Sequence, residues 1–252
     1  MRRIYSILML GICLLCSEVI LASQSEEELQ TYITIFSTKT SAGSQLDALN
    51  TLQWSGLSDR RLFDLLEKTL LENHATARSK PNVDLVSWYA KSLGTSGLEV
   101  YRDTFKKIIQ SDSHKKIIKY AQEGENNLAK YKIWNPIMTN RYVWNSDNSN
   151  VSNRLANMIR SDDWELRMIA AKRMLADNVF DDSLLMALDQ TIKSEFEIDH
   201  DGKQQIQTLA WMCRALAASM KPEFEKTLSD VHENAGNKKV RKYAKKYLGQ
   251  YY

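Results

Sequence analysis

The sequence predicts an all-α protein built from repeated helical hairpins. Its 252 residues include only three prolines and nine glycines, and apolar residues recur at helical spacing from Glu27 onward. A shift of 123 positions also aligns the chain with itself without a gap. Internal self-similarity of this kind is the sequence signature of repeat architecture, so we expect two related halves that contain the same helices.

The self-alignment is clearest in two stretches of each half. Trp88–Leu93 falls on Trp211–Leu216, and Lys115–Ala121 falls on Lys238–Ala244. Small residues recur in the same register, at Ala48, Ala90 and Ala121 in the first half and at Ala171, Cys213 and Ala244 in the second. Units of about 30 to 50 residues with two helices each are typical of α-solenoids, so the predicted fold class is an α–α superhelix.

The first 23 residues have the layout of a secretory signal peptide. Arg2 and Arg3 precede an apolar run that reaches Cys16, and small residues follow at Ala22 and Ser23. The run is too short to span a bilayer comfortably, although an uncleaved membrane anchor is the alternative. We therefore expect residues 1–23 to be removed and the protein to be exported, to a periplasm or to the extracellular space.

Cysteine usage limits the chemistry of the mature chain. Cys13 and Cys16 lie in the predicted signal peptide, which leaves Cys213 without an intramolecular disulfide partner. Cys213 aligns with Ala90 and follows Trp211 by two residues, so a small buried core residue is favoured over a reactive thiol. The mature chain is long enough to be stabilised by its apolar core without disulfides.

The predicted helices form two triplets of hairpins, each hairpin pairing an outer with an inner helix. The first triplet, residues 24–127, has predicted helices at 26–38 with 43–55, 58–73 with 82–94, and 98–111 with 114–127. The second triplet, residues 151–252, has them at 151–160 with 163–176, 182–196 with 203–218, and 222–234 with 237–250.

Residues 128–150 interrupt this pattern and form a predicted aromatic and polar connector. Five side chains of the kinds that anchor interfaces lie in it: Tyr131, Trp134, Arg141, Tyr142 and Trp144. A polar, turn-forming tract follows from Asn145 to Asn150. Because long loops without secondary structure are usually functional or disordered, these five residues are a predicted partner-binding site. Packing between the two triplets is the alternative role.

An acidic turn in the second triplet partly matches a calcium-binding loop. Glu197, Asp199 and Asp201 alternate like the oxygen ligands of an EF-hand loop, and Gly202 occupies its sharp-turn position. The match fails at the twelfth position, where Thr208 replaces the bidentate Glu. A solvated turn between helices is therefore favoured, and the three carboxylates are only weak candidates for metal ligands.

Catalytic signatures are missing from the sequence. The four histidines, at positions 74, 114, 200 and 232, have no metal-ligand spacing on one helix. The chain also has no Ser/His/Asp arrangement, no catalytic Cys/His signature and no Gly-rich phosphate loop. We therefore expect a non-enzymatic protein, and the sequence indicates no cofactor.

Positive charge is concentrated in the last predicted helix. The whole chain has 34 Lys and Arg against 31 Asp and Glu. Residues 237–250 contain no acid and six cations: Lys238, Lys239, Arg241, Lys242, Lys245 and Lys246. Such a face could bind an acidic protein, an anionic polymer or a membrane surface, or it could be the polar cap of a terminal repeat. Nucleic acid is not an expected partner, because the chain is near-neutral overall and predicted to be exported.

Two of the predicted helices resemble the second helix of a HEAT repeat. In Asp163–Ala171, a capping Asp is followed by an aliphatic residue, by Arg167 and then by two alanines. Val240–Gly249 is similar and ends in Leu-Gly, whereas the first triplet has Ile118 where an Arg is usual. The resemblance implies HEAT-like hairpins whose inner helices line a concave surface, on which a partner protein docks.

These features together favour an exported, non-enzymatic scaffold or adaptor that binds a protein partner. One alternative is an envelope- or surface-associated protein whose basic C-terminal helix contacts an anionic polymer or lipid. A HEAT-like enzyme or metal-binding module is a third and less favoured alternative.

Overall fold

The computed structural model describes residues 26–38 and 40–252, which form twelve α-helices and no β-strand. The predicted signal peptide, residues 1–23, lies outside the described residues. The helices are α1 (26–37), α2 (Ala42–Leu52), α3 (Arg60–Asn73), α4 (Lys80–Leu93), α5 (Arg102–Ile109), α6 (Lys115–Met138), α7 (Asn150–Arg160), α8 (Trp164–Asp177), α9 (Asp182–Glu195), α10 (Lys203–Ala218), α11 (Glu225–Asn234) and α12 (Lys238–Tyr251). The all-α prediction is confirmed. No helix in the described part of the chain combines the length and apolar character needed to cross a membrane.

The helices belong to two compact units: unit 1 contains the described residues up to Arg141, and unit 2 is Tyr142–Tyr252. In unit 1, α3 packs on α4 and α5 on α6 as helical hairpins, while the inner helices α2, α4 and α6 lie side by side. Unit 2 repeats this arrangement with the hairpins α7–α8, α9–α10 and α11–α12, and with α8, α10 and α12 side by side. Each unit is therefore a row of inner helices backed by outer helices, as predicted for the two related triplets.

Helices of unit 2 begin at positions that match those of unit 1 after the shift found in the sequence. The last inner helix begins at Lys115 in unit 1 and at Lys238 in unit 2, which is a difference of 123 residues. Two short 3-10 helices, Glu99–Tyr101 and Pro222–Phe224, differ by the same number. The duplication is therefore present in the helices and in the turns between them.

Small side chains allow the inner helices to pack closely. One small residue on each inner helix is buried: Ala48, Ala90, Ala121, Ala171, Cys213 and Ala244. A larger side chain at these positions would overpack the core and displace neighbouring helices. The register of small residues predicted from the sequence is confirmed, and so is the burial of Cys213.

Helix N-termini are capped by side chains in both units. Asp163, the predicted cap of α8, accepts hydrogen bonds from the backbone amides of Glu165 and Leu166 at 2.8 and 3.0 Å. At the equivalent starts of α6 and α12, His114 and Asn237 each accept from the amide two residues further on. Different residue types therefore satisfy the same free amides in the two copies.

Helix α6 continues beyond its predicted end at residue 127 and reaches Met138. The first part of the predicted connector is therefore helical, which corrects the prediction of a loop there. The buried side chain of Asn135 fixes this extension. Its Nδ2 donates to Ser58 Oγ at 2.8 Å and to two backbone carbonyls in the turn after α4 at 2.9 and 3.1 Å. One amide thus ties the end of α6 to two turns of unit 1.

The backbones of α6 and the end of α4 are in near contact at two glycines. A Cβ on Gly94 would lie 2.5 Å from the Cα of Gly124, and a Cβ on Gly124 would lie 2.6 Å from the carbonyl oxygen of Ala90. Atoms at these distances would overlap, so only glycine fits at either position without moving a helix.

Unit 2 contains a nearly buried arginine, Arg167, which is 5% exposed. Its Nη1 donates to Glu195 Oε1 at 2.8 Å, and its guanidinium lies over the ring of Trp164, with 4.7 Å between Cζ and the ring centroid. The second oxygen of Glu195 lies 3.2 Å from His200 Nε2. The arginine of the HEAT-like pattern therefore pairs with a carboxylate inside unit 2.

Candidate functional site

The predicted aromatic site is divided between a buried helix face and an exposed turn. Tyr131 and Trp134 lie in α6 with only 4% and 3% of their surface exposed. Their rings pack edge to face with centroids 5.4 Å apart. Rings buried in this way cannot contact a partner, so the binding role predicted for these two residues is corrected. They pack within unit 1, in line with the alternative role for the aromatic residues of this segment.

Arg141, Tyr142 and Trp144 lie after α6. A short 3-10 helix covers Arg141–Val143, and Tyr142 is 99% exposed, whereas Arg141 and Trp144 are half-buried. These three residues stay predicted partner contacts, and Tyr142 offers the most accessible ring among them.

Helix α12 has an apolar side and a basic side. Val240, Ala244 and Tyr247 are buried, and Arg241 donates to the backbone carbonyls of Ala235 and Gly236. The other five predicted cations are exposed, and none of them forms an ion pair with another described residue: Lys238, Lys239, Lys242, Lys245 and Lys246. Arg241 therefore fixes the turn before α12, while the lysines face solvent without a carboxylate partner in the described chain.

The positive charge continues onto the neighbouring inner helices of unit 2. Lys172 of α8 and Arg214 of α10 both lie over the ring of Trp211, with the Lys172 Nζ and the Arg214 Cζ each 5.1 Å from the ring centroid. A cation over an indole face is attracted by the ring quadrupole, which holds it at a defined place on the surface. Neither cation forms an ion pair with another residue in the described ranges.

The same pattern links α10 to α12. Helix α10 packs against α12. Burial raises the pKa of Tyr247, and the positive charge of Arg214 opposes that rise. Tyr243 stacks on Tyr247 with centroids 6.3 Å apart, and Lys246 Nζ lies 5.9 Å from the Tyr247 centroid. We call the exposed and half-buried side chains of this row the basic surface: Lys172, Trp211, Arg214, Lys239, Lys242, Tyr243 and Lys246.

The equivalent side of unit 1 has the same aromatic and basic framework. Trp88 and Tyr120 pack edge to face with centroids 6.1 Å apart, and Lys91 Nζ lies 5.3 Å from the Trp88 centroid. Here a carboxylate accompanies the cations, because Glu123 lies 3.9 Å from the Nζ atoms of both Lys91 and Lys119. The charge of this part of unit 1 is therefore compensated within the unit.

A second carboxylate, Asp84 on α4, also pairs with lysines of unit 1. It lies one helical turn before Trp88. It accepts hydrogen bonds from Lys116 at 2.7 Å and from Lys80 at 3.1 Å. These two ammonium groups, Lys116 first, hold the pKa of Asp84 below its usual value. Most of the lysines on this side of unit 1 thus have a carboxylate partner from the same unit.

Unit 2 carries neither of these acids. Gln207 stands where α4 has Asp84, and Lys246 stands where α6 has Glu123. The cations around them are retained, since Lys116 corresponds to Lys239 and Lys119 to Lys242. Like charges on neighbouring helices repel, so the basic surface has a net attraction for anions that the copy in unit 1 lacks.

The basic side of α12 is visible in the sequence, but its extension onto α8 and α10 is not. Lys172, Trp211 and Arg214 are scattered along the chain, and only the packing of the inner helices brings them next to α12. A comparison of charged residues between the two copies would have exposed the loss of Asp84 and Glu123. That comparison was the available signal.

The acidic turn does not form a metal site in the described structure. Glu197, Asp199 and Asp201 are all exposed, and no three His, Cys, Asp or Glu side chains among the described residues could hold a metal ion together. The alternation of carboxylates along the turn therefore does not bring them together around one point.

Cys213 lies in the core of unit 2 beneath the basic surface. The thiol is fully buried, and this burial raises its pKa to about 12. Only the thiolate is a good nucleophile, so a thiol with so high a pKa is inert at neutral pH. The geometry supports the sequence-based preference for a core residue over a reactive thiol.

Alkylation should distinguish these two roles of Cys213. We expect iodoacetamide to leave the native mature protein, which lacks Cys13 and Cys16, unmodified near pH 8.5, where an ordinary thiol is about half ionised. The same reagent should label Cys213 fully after unfolding in concentrated guanidinium, as read by intact-protein mass spectrometry. Rapid labelling of the native protein would show that the thiol is accessible.

Comparison with models of known protein families, with curated proteins and with solved structures found no match for this chain. The HEAT-like character therefore rests on the residues quoted above and stays a hypothesis about the family.

Proposed function

We propose that this protein is a non-enzymatic scaffold that binds a partner protein through the basic surface of unit 2. One observation carries this proposal: the two copies share a framework of aromatic and basic residues, but only unit 1 keeps the acids that neutralise it. Replacement of Asp84 by Gln207 and of Glu123 by Lys246 leaves cations without internal partners. An acidic segment of a partner would supply the missing carboxylates.

The chemistry of the basic surface favours a protein segment over a simple polyanion. Trp, Tyr and Arg are enriched among the residues that contribute most to protein–protein binding, and Trp211, Tyr243 and Arg214 combine all three types. A polyanion needs only charge, whereas an acidic segment with apolar side chains would also use the partly exposed rings. Tyr243, at 41% exposure, can still bury a large part of its ring area.

Three further parts of the proposal rest on the sequence. The layout of residues 1–23 supports export to a periplasm or to the extracellular space. The pattern around Arg167 supports a HEAT-like solenoid, in which inner helices present the binding surface. The missing catalytic signatures support a binding role rather than an enzymatic one.

Three probes test the class of partner. Purified mature protein would be titrated with poly-L-glutamate, with polyphosphate and with vesicles that contain phosphatidylglycerol, each at low and moderate salt. We expect binding to poly-L-glutamate that weakens as salt rises, because charges are screened beyond about 10 Å at 0.1 M salt. Binding to polyphosphate or to vesicles without binding to poly-L-glutamate would refute a protein partner and support the envelope-associated alternative. Failure to bind all three would refute both.

A charge reversal tests the location of the site. Lys246→Glu restores the acid that unit 1 carries at Glu123, so we expect it to weaken poly-L-glutamate binding about tenfold or more. Lys226→Glu is the matched control, because it makes the same charge change on the outer helix α11, at a side chain that is 81% exposed. Its ion pair with Asp230 contributes little to stability. Equal affinities of the two variants would show that the basic surface is not the site.

A further inference from the structure

Unit 1 contains a pocket of about 280 Å³ between α2, α3 and α4. Its wall combines polar and aliphatic side chains, and no charged side chain is among the described residues that line it. The polar groups are amides and hydroxyls, from Gln45, Thr69, Asn73, Asn82 and Tyr89 among others. The pocket can therefore donate and accept hydrogen bonds without attracting ions.

The two copies differ at this pocket. At four positions where unit 1 has a polar group, unit 2 carries an apolar side chain: Met168 for Gln45, Ile192 for Thr69, Phe196 for Asn73 and Met212 for Tyr89. The other two polar positions, Thr76 and Asn82, correspond to Asp199 and Gln205 and stay polar. Three of these four apolar residues are buried in unit 2. The same helical framework thus buries apolar side chains at most of these positions in unit 2 and carries polar side chains there in unit 1.

The polar residues of the pocket are not needed to build the fold. Tyr89 is buried, and its hydroxyl donates to Gln45 Oε1 at 3.0 Å. The phenol is therefore not buried with an unpaired hydroxyl, which would be unfavourable. Since unit 2 forms the same hairpins with methionines at both positions, an apolar pair would serve the core equally well. The hairpin itself therefore does not require a polar pair at these positions, and the Gln45 oxygen can accept a second hydrogen bond from a ligand.

We propose that this pocket binds one neutral sugar ring, a role separate from that of the basic surface in unit 2. Vicinal hydroxyls both donate and accept, and the pocket offers them the amide of Asn82 and the Oδ1 of Asn73. Gln45 Oε1 already accepts from Tyr89, and Asn73 Nδ2 already donates to the carbonyl oxygen of Thr69. Leu85 and Val86 provide an aliphatic area against which the C–H face of a pyranose packs. The volume lies at the small end of ligand pockets and suits a single ring.

Ligand-observed NMR tests the proposal with defined probes. Saturation-transfer spectra of the mature protein would be recorded with glucose, galactose and N-acetylglucosamine, and with glucuronate as a charged analogue. We expect transfer to at least one neutral sugar and weaker transfer to glucuronate, since no cation lines the pocket to offset desolvation of the carboxylate.

A trisaccharide of the bound sugar distinguishes a free monosaccharide ligand from a sugar ring that belongs to a glycan chain. Affinity at least tenfold above that of the monosaccharide indicates a glycan chain, and equal affinity indicates a free sugar.

Two variants that introduce the residues of unit 2 test whether the sugar binds in this pocket. Thr69→Ile and Gln45→Met introduce the residues of unit 2 at half-buried positions, so both should fold, as circular dichroism melting would verify. Each should weaken sugar binding at least tenfold, by filling the pocket or by removing an amide. Thr34→Ile makes the same change at an exposed position on α1 and should leave binding unchanged. Sugar binding that survives both pocket variants, or no binding of any neutral sugar to the native protein, would overturn the proposal.

Discussion

Gly94→Ala should destabilise unit 1 by about 3 kcal/mol, at the upper end of the range for overpacking. The added Cβ would lie 2.5 Å from the Cα of Gly124, and backbone cannot rotate away as a flexible side chain can. Relief of the overlap requires α6 to move away from α4, which would loosen the packing around Ala90 and Ala121. Urea unfolding followed by circular dichroism would measure the loss.

Gly249→Ala is the matched control for this change. Gly249 lies in α12, and no atom lies within 4 Å of the place where its Cβ would be. Alanine is favoured over glycine in a helix by about 0.5 to 1 kcal/mol, so this variant should be as stable as the native protein or slightly more so. Equal stability of the Gly94 and Gly249 variants would show that α4 and α6 do not cross at backbone contact.

Arg167→Met should destabilise unit 2 by about 3 kcal/mol, the lower end of the range for breaking a buried ion pair. Methionine fills most of the space of the arginine stem, but it leaves Glu195 without the donor at 2.8 Å. Only 17% of the Glu195 side chain is exposed, so water replaces that donor poorly. The contact of the guanidinium with the Trp164 ring would be lost as well.

Two further variants isolate the buried pair. Arg60→Met breaks a surface pair with Asp64, whose side chains are 65% and 46% exposed, and should cost less than about 1 kcal/mol. Adding Glu195→Gln to Arg167→Met should recover part of the loss, because a neutral amide is less costly to leave without a cation. An Arg167 variant no less stable than the Arg60 variant would contradict the role assigned to the pair.

Helix positions were predictable because each unit repeats the same signals. The apolar period and the small residues at Ala90 and Cys213 depend on neighbours a few positions away, and they place every inner helix except α6 within a few residues of its observed ends. The extension of α6 had no such signal. Pro136 normally indicates a helix end, since it cannot donate to the preceding turn, but here it lies in the last turn of a helix held by Asn135. That support comes from residues far away in sequence.

The candidate site was only partly predictable for a related reason. A cluster of lysines on one helix is visible in sequence, so the basic side of α12 was found. The aromatic residues of segment 128–150 were misassigned in part, because exposure cannot be read from residue type. Tyr131 and Trp134 are buried, while Tyr142 is exposed. Lys172 and Arg214 meet Trp211 only through packing between helices, which no single segment encodes.

The side chain of Asn135 also bears on the order of folding. Its amide bonds to Ser58 and to the carbonyl of Thr95, partners that lie 77 and 40 residues earlier in the chain. Contacts between such distant segments are costly to form early, because closing long loops has an entropic cost. During synthesis, Asn135 also emerges after all of its partners. We therefore expect the last turns of α6 to dock late in folding, after the other hairpins of unit 1 have assembled.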